Sequence, residues 1–203
     1  MRSSIHVLGT VELDSVAQGY RVLDLMVKAA PISVLRATVI NPGKFLIMVT
    51  GDVAAVEEAI KRGISAAGEC LLDYLFLPNL HTDVIPALRA RDPASFGERT
   101  EQVSPAVELD ALGLIEAFST TAGIEAADAA AKEAAVRVLE IRLGDELGGK
   151  STATVTGPIG EVEAALAVAE GLLRRKQLLV RTTVIPRPHG DLAPFVAGIE
   201  VTG

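Results

Sequence analysis

The chain lacks several features that common classes of protein require. It contains no tryptophan, only two tyrosines and five phenylalanines, and a single cysteine, Cys70. One cysteine excludes a disulfide within the chain and favours a reducing compartment. No apolar run reaches the roughly 18 residues of a membrane span, and no hydrophobic signal segment follows Met1. We therefore expect a cytoplasmic protein with no membrane partner.

Clustered positive charge is also missing. The formal net charge is −7, from 19 lysines and arginines against 26 aspartates and glutamates. Neutralising nucleic-acid phosphates requires grouped Lys and Arg, so the composition excludes general nucleic-acid binding. The chain length suits two small domains of about 90–100 residues, each near the lower limit for a comfortable core. Association with other chains is therefore expected.

The sequence consists of two related copies. Residues 7–13 return as 111–117, and the pair Asp24 and Lys28 returns as Asp128 and Lys132, both 104 positions later. Further along, 43–51 matches 149–157 at a spacing of 106, and 77–81 matches 185–189 at a spacing of 108. The spacing grows only where loops are expected. We predict two domains, 1–92 and 106–203, joined by a linker over 93–105 that is rich in Pro, Ser, Gly and charge.

Each copy predicts the order strand, helix, strand, turn, strand, helix, strand. Residues 7–13 alternate with a period of two, which is typical of a strand. In the first helix, apolar residues recur every three or four positions and predict one buried face, made of Val16, Tyr20, Leu23, Val27 and Ala30 and, in the second copy, Thr120, Ile124, Ala127, Ala131 and Ala134. Proline followed by glycine at 42–43 predicts a type II turn, and residues 144–149 replace it in the second copy.

These motifs together carry a family resemblance. In the second copy they run in the order Leu112-Gly113-Leu114-Ile115-Glu116, Asp128-x-x-x-Lys132, a Gly-Gly-Lys turn, Val155-Thr156-Gly157 and Ile185-Pro186-Arg187-Pro188-His189. This order resembles the bacterial microcompartment shell domain. The resemblance implies an α+β fold of two tandem, non-permuted shell domains, each a small antiparallel sheet with flanking helices. The segment 40–46 is most similar to tandem shell proteins of the propanediol-utilisation type, which carry an iron–sulfur cluster at their pore.

The resemblance implies a structural role without catalytic residues. Three chains would form a homotrimer whose six domains imitate a hexagonal tile in the microcompartment shell, beside hexameric tiles and pentameric vertices. The strand-connecting turns would meet at a central pore for small polar metabolites, lined by Asn41, Pro42, Gly43, Leu147, Gly148 and Gly149. Contacts between tiles would involve Lys28, Lys132, Asn79 and Arg187.

One departure from the resemblance concerns the pore. The iron–sulfur relatives have a cysteine where this chain has Asn41, and an amide cannot replace a thiolate as a cluster ligand. Cys70 follows the second helix and is expected to lie away from the pore. We therefore predict no cluster, no other metal and no cofactor.

Other functions remain open at this stage. One alternative is a redox conduit that passes electrons through a pore-bound iron–sulfur cluster. Another is a trimeric regulator that senses a small molecule in a cleft between domains. Enzymatic activity is not expected: His81 and His189 belong to different domains, and no histidine lies near Cys70 in sequence to activate its thiol.

Overall fold

The computed structural model describes residues 5–90, 109–144, 147–192 and 196, so the predicted linker over 93–105 lies outside the described residues. Domain 1 contains β1 (Leu8–Leu13), α1 (Val16–Ala29), β2 (Ser33–Ile40), β3 (Lys44–Thr50), α2 (Val53–Ala67) and β4 (Leu71–Leu77), followed by a short helix α3 (Val84–Arg89). Domain 2 contains β5 (Ala111–Ala117), α4 (Thr120–Glu133), β6 (Arg137–Arg142), β7 (Ser151–Gly157), α5 (Ile159–Arg175) and β8 (Leu179–Pro186).

Each domain forms a four-stranded antiparallel sheet with the same strand order. The order is β2-β3-β1-β4 in domain 1 and β6-β7-β5-β8 in domain 2. The first strand of each domain therefore lies between the third and the fourth. In this register Glu12 lies opposite Asp73, and Glu116 lies opposite Arg181. The predicted α+β class and the unpermuted element order are both confirmed.

The strand β1 is buried on both faces, because its two faces pack against different parts of the chain. Gly9 and Val11 face α2, and a Cβ on Gly9 would come within 2.8 Å of the Ile60 and Val56 side chains. The opposite face carries Leu8, whose side chain joins a hydrophobic core shared with domain 2. Domain 1 thus uses one sheet face for its own helices and the other for its neighbouring domain.

The buried face of α1 differs from the prediction. The buried residues of α1 are Gly19, Val22 and Met26, whereas Tyr20 is 61% and Val27 is 42% exposed. The helix carries two adjacent apolar stripes, and periodicity alone does not show which of them faces the sheet. The stripe predicted for α4 is largely buried, because α4 is covered on several sides and ten of its residues are buried.

The turn over 41–43 also differs from the prediction. The Gly43 amide donates to the Ile40 carbonyl at 3.0 Å, so the four-residue turn begins at Ile40 and Pro42 occupies its third position. The Asn41–Pro42 peptide bond is cis, which is the proline position of a type VI turn. The prediction of a type II turn, with Pro42 in second place, is wrong. Gly43 has a φ of 94°, a value that L side chains rarely adopt.

The sequence did not predict α3, which attaches the end of domain 1 to domain 2. Its buried side chains Val84 and Leu88 belong to the core shared with domain 2. The Val138 amide of β6 donates to Asp83 Oδ2 at 3.2 Å. Pro86 lies in the first turn of α3, where a missing N–H costs no helical hydrogen bond. The short length of six residues explains why periodicity missed the helix.

Candidate functional site

The two turns predicted to line a pore lie against each other within one chain. We call residues 41–43 and 147–149 the turn pair. A Cβ built on Gly149 would come within 2.6 Å of the Asn41 carbonyl oxygen and 2.9 Å of Pro42 Cδ. Gly149 is buried, whereas Asn41, Pro42 and Gly148 are exposed. The two turns that contain the predicted pore residues therefore contact each other, and the exposed residues of both turns lie side by side.

Lys44 connects the turn pair to the interface between the two domains through hydrogen bonds. Its ammonium donates to the Gly149 carbonyl at 3.3 Å, to Glu12 Oε1 at 2.9 Å and to the Phe118 carbonyl at 3.4 Å. One side chain of domain 1 thereby satisfies two backbone carbonyls of domain 2. The sequence feature that could have identified Lys44 as a functional residue is the Gly-Lys pair, which occurs in both copies as Gly43-Lys44 and Gly149-Lys150. Lys150 makes the corresponding contact inside its own domain, to Glu116 Oε1 at 3.0 Å.

Glu12 connects β1 to the start of α4. Its Oε2 accepts a hydrogen bond from the Thr121 amide at 3.1 Å and lies 3.0 Å from the Ser119 hydroxyl. The Glu12 side chain is fully buried, so these contacts and Lys44 supply the partners that a buried carboxylate requires. A carboxylate at a helix N-terminus is also favoured by the helix dipole. Glu12 is therefore a structural residue of the domain interface.

A second charged group lies beside Glu12 at the same interface. Asp73 Oδ2 is 2.7 Å from the Ser119 hydroxyl, and Asp73 Oδ1 is 3.0 Å from Lys176 Nζ. Lys176 also contacts Glu125 Oε2 at 2.7 Å. Burial alone lowers the pKa of Lys176, but the hydrogen bonds and charges of Glu125 and Asp73 outweigh burial and hold that pKa above its ordinary value. We call Asp73, Lys176 and Glu125 the inner triad.

The residues predicted at the tile edge lie on the surface. Lys28 contacts Asp24 at 2.7 Å, and both side chains are exposed. Lys132 contacts Asp128 at 2.6 Å, but the Asp128 side chain is only 3% exposed and also accepts the His81 amide at 2.8 Å. The helix pair of domain 2 is thus partly buried, and only that of domain 1 is a solvated surface pair.

The other two residues predicted at the tile edge follow the last strand of each domain. Asn79 and Arg187 are both exposed. The Arg187 amide donates to the Asp110 carbonyl at 2.9 Å, and its φ is 47°. Lys28 lies at the far end of α1, about 20 Å along the helix from Ser15. The four residues predicted at the tile edge therefore lie at the ends of helices and strands, and none of them belongs to the turn pair.

Cys70 lies at the same end of the sheet as the 41–43 turn. The Asp14 amide, directly after β1, donates to the Cys70 carbonyl at 3.0 Å. Cys70 directly precedes β4, and β1 separates β4 from the turn that joins β2 to β3. Burial and then the neighbouring Asp14 carboxylate raise the pKa of the Cys70 thiol, which disfavours the thiolate needed for metal binding or nucleophilic attack.

The described residues contain neither a metal-binding cluster nor a membrane-spanning helix. Within residues 5–90, 109–144, 147–192 and 196, no group of three or more His, Cys, Asp or Glu side chains could hold a metal ion. In the same part of the chain, no helix is long and apolar enough to cross a bilayer.

Comparisons with known proteins identify the family. The BMC domain profile matches the chain twice, over residues 7–80 and 111–188. The chain is 38% identical over 185 residues to the bacterial microcompartment shell protein PduT of Citrobacter freundii, which covers 91% of this chain and 94% of PduT. A segment of 85 residues is 41% identical to the bacterial microcompartment shell protein EutM of Salmonella typhimurium, covering 41% of this chain and 85% of EutM.

Solved structures share the fold. A crystal structure of a microcompartment protein from Desulfitobacterium hafniense superposes with a TM-score of 0.74 at 38% identity, covering 93% of this chain and 98% of that chain. A fused permuted hexameric shell protein of the RMM microcompartment gives a TM-score of 0.57 at 18% identity, covering 87% of this chain and 85% of its own, a likeness of fold alone. With both domains matched by one profile and a relative aligned along almost its whole length, the chain belongs to the BMC-domain family and is a tandem, non-permuted shell protein of a bacterial microcompartment.

Proposed function

We propose that three chains close into a ring whose six domains form a tile of the shell, with the turn pairs of all three subunits around a central pore. The observation that carries this proposal is the unequal burial of two equivalent helices. Ile124 of α4 is fully buried and Ala131 is 7% exposed. Their counterparts in α1, Tyr20 and Val27, are 61% and 42% exposed.

The unequal burial has a simple cause. Domain 1 covers the outer face of α4 within the chain, whereas among the described residues no second domain covers the same face of α1. A second chain could cover it with its domain 2, which has the same shape as the domain 1 that covers α4. Three such contacts, alternating with the three internal ones, close a ring of six domains.

The polar groups of the interface support the same arrangement. Inside the chain Glu12 accepts from the Ser119 hydroxyl and the Thr121 amide at the start of α4. Glu116, the counterpart of Glu12, is one-third exposed and contacts Lys150. Ser15, the counterpart of Ser119, begins α1 and accepts the Gln18 amide at 3.3 Å. In the ring, Glu116 of one subunit would face Ser15 of the next.

The pore proposal rests on the turn pair. Around a threefold axis the two turns of each chain would alternate, giving six turns in all. Asn41 would supply three neutral amides, each with donors and acceptors, and the glycines at 43 and 148 would leave backbone groups accessible to a passing solute. This lining suits small polar metabolites and provides no thiolate for an iron–sulfur cluster, so a permeation pore is favoured over a redox conduit.

The interface between the domains also argues against a ligand-sensing regulator. Such a regulator requires a cleft between domains, whereas here the space is filled by Glu12, Ser119 and the inner triad. A shallow groove of about 220 Å³ lies elsewhere, between α5 and β8 of one domain, and Glu170 and Thr182 are among its lining residues. We therefore propose a structural, non-enzymatic tile that assembles with hexameric tiles and pentameric vertices through Lys28, Lys132, Asn79 and Arg187.

Two matched valines test the ring. Val27 is 42% exposed on the proposed contact face, whereas Val53 is 46% exposed at the start of α2. Ile159 is the counterpart of Val53 in domain 2. Domain 1 packs against domain 2, yet Ile159 is still 41% exposed, so this position lies outside the contact between domains. Light scattering should find monomers for Val27→Glu and trimers for Val53→Glu. Trimers of both variants, or a monomeric wild type, would contradict the proposal.

A further inference from the structure

The contact between domain 1 and α4 contains a pair of hydroxyl groups. The Thr10 hydroxyl donates to the Thr121 hydroxyl at 3.1 Å, and both residues are fully buried. Thr10 lies on β1 and Thr121 is the second residue of α4. Because each hydroxyl is the partner of the other, the pair costs little to bury. It joins the sheet of domain 1 to the first turn of the helix that covers it.

Leu114 on β5 is the counterpart of Thr10. Gly9 and Gly113 each pack against the second helix of their own domain, where an added Cβ would come within 2.8 and 2.5 Å of helix side chains. The residue after each glycine therefore points to the other face of its sheet. On that face Thr10 is fully buried, whereas Leu114 is half-buried. A leucine is thus partly uncovered on the sheet face of domain 2 that corresponds to the covered face of domain 1.

Ala17 on α1 is the counterpart of Thr121. Ser15 and Ser119 cap their helices in the same way, since each side chain accepts a backbone amide from three residues further on. Ala17 and Thr121 are each the second residue of the helix that follows. Ala17 is exposed, whereas Thr121 is fully buried. The change from a hydroxyl to an apolar side chain therefore occurs on both sides of the contact at once.

We propose that Leu114 of one subunit packs against Ala17 and Tyr20 of the next subunit. This apolar contact takes the place that the hydroxyl pair has inside the chain. The inference rests on the ring proposed above, in which each contact between subunits repeats the contact between domains 1 and 2. Covering Leu114, which is only half-buried in the single chain, stabilises the ring by removing apolar surface from water.

Tyr20 is held in position for this contact within its own domain. Its ring centroid lies 4.8 Å from that of Phe45, and the two rings are tilted by 49°. Phe45 is fully buried, so Tyr20 rests on the core of domain 1 while 61% of its surface is exposed. Tyr20 follows Ala17 by three positions, which places both on one side of α1. The exposed side of the tyrosine ring is therefore free to pack against another subunit.

The inner triad has no equivalent between subunits. The counterparts of its two acidic residues are both arginines, Arg181 and Arg21, and the counterpart of its lysine is Gly68. Two like charges would approach each other without an ammonium or carboxylate of the triad between them, which is unfavourable. Glu116, opposite Arg181 on the neighbouring strand, and Asp24, one turn after Arg21, offset part of this repulsion. Apolar burial must therefore supply more of the stabilisation between subunits than inside the chain.

Three variants of the full chain test this inference through the concentration dependence of the trimer mass. Leu114→Thr removes apolar area and buries an unpaired hydroxyl, and Ala17→Thr brings a hydroxyl against Leu114. Each should weaken the trimer by roughly tenfold or more. The double variant places two threonines as in the internal pair and should form a stronger trimer than either single variant. Circular dichroism of each variant checks that the domains remain folded, as expected for a threonine on a strand.

Ala54→Thr is the matched control. Ala54 is the second residue of α2 and is exposed, as Ala17 is in α1. Its counterpart in α5, Gly160, is exposed as well, although domains 1 and 2 pack against each other, so this position lies outside the contact between domains. Ala54→Thr should therefore give the trimer mass of the wild type at every concentration.

The outcomes separate this inference from the proposed ring. A wild-type chain that is not a trimer overturns both. With a trimeric wild type, single variants that leave the trimer intact overturn the apolar contact alone, and so does a double variant whose trimer is weaker than that of both single variants. Equal weakening by Ala54→Thr and Ala17→Thr also overturns it, since the effect would then come from threonine at the start of a helix.

Discussion

The carbonyl oxygen of Asn41 lies where the side chain of any larger residue at position 149 would begin. A Cβ on Gly149 would come within 2.6 Å of that oxygen, closer than real Cβ contacts allow. Two turns that are 106 positions apart in sequence therefore meet only because one of them is glycine at this point. The contact brings the turns of domains 1 and 2 into one surface, as a shared pore lining requires.

Gly149→Ala should destabilise the protein more than Gly148→Ala. Both glycines have positive φ, 81° and 62°, so alanine is strained at either position, by roughly 1–2 kcal/mol. Of the two, Gly149 is the one packed against a described neighbour, because no described residue lies within 4 Å of a Cβ at Gly148. Thermal unfolding at one protein concentration should show a melting temperature for Gly149→Ala at least about 2–4 °C below that of Gly148→Ala. Equal melting temperatures would mean that the contact between the two turns contributes nothing to the free energy of unfolding.

Lys132→Ala should cost more stability than Lys28→Ala. Lys132 forms an ion pair with the buried carboxylate of Asp128. Removing the Lys132 ammonium should therefore lower the free energy of unfolding by about 1–2 kcal/mol. Lys28 pairs with an exposed Asp24, so its removal should cost no more than about 0.5 kcal/mol. Urea denaturation measures both.

The same two variants address the tile edge. If these lysines contact neighbouring tiles, Lys28→Ala should impair sheet assembly in electron micrographs while its unfolding curve stays unchanged. Lys132→Ala should impair assembly and also lower stability. If both variants assembled into normal sheets of tiles, these lysines would contribute only to the ion pairs with Asp24 and Asp128.

The stabilisation from Lys176 should be lost at high pH. Because the folded-state pKa of Lys176 is raised above 10.5, its contribution is complete below pH 10.5 and disappears as the pH rises through the folded-state value. Lys176→Met should therefore lower the free energy of unfolding by about 1–2 kcal/mol at pH 8, an amount discounted for partial exposure. The difference from wild type should shrink above pH 10.5.

A matched control for this measurement is Lys61→Met. Lys61 also has a raised pKa, from its hydrogen bond to Glu57, but it lies on an exposed helix surface. Its replacement should leave the unfolding curve close to that of wild type. An equal loss of stability from both substitutions would show that burial of the inner triad is unimportant.

Asn41→Cys should create an iron–sulfur binding site at the pore. In a ring, three thiols would surround one axis, and anaerobic reconstitution should give absorbance near 400 nm. The wild type should stay colourless under the same treatment. Asn79→Cys provides the control, since residue 79 is also exposed but follows β4 instead of lying in the turn pair. Absorbance near 400 nm in both variants, or in neither, would show that residue 41 does not lie at the threefold axis.

The sequence predicted the fold because its signals were local and occurred twice. The Gly-Lys pairs, the proline-terminated strands and the alternating pattern of residues 7–13 each specified an element, and the spacing between copies separated elements from loops. The two turns were correctly paired as equivalent positions. Their direct contact, through Gly149 and Asn41, could not be predicted, since it depends on how the domains pack.

What the sequence missed lies at the contact between domains. The exposure of Tyr20 and Val27 depends on whether another domain covers α1, which helical periodicity does not encode. Asp73 and Glu125 are ordinary charged residues in sequence, and they differ from their counterparts Arg181 and Arg21. A repeat is recognised by the residues that its two copies share, so these positions, at which the copies differ, gave no signal.

Single-particle electron cryomicroscopy of the purified full-length chain tests the central claim most directly. The account predicts a particle of three chains with six domains in a ring, in which residues 41–43 and 147–149 alternate three times around the central axis. A monomer, or a ring with these turns at its outer edge, would contradict the account.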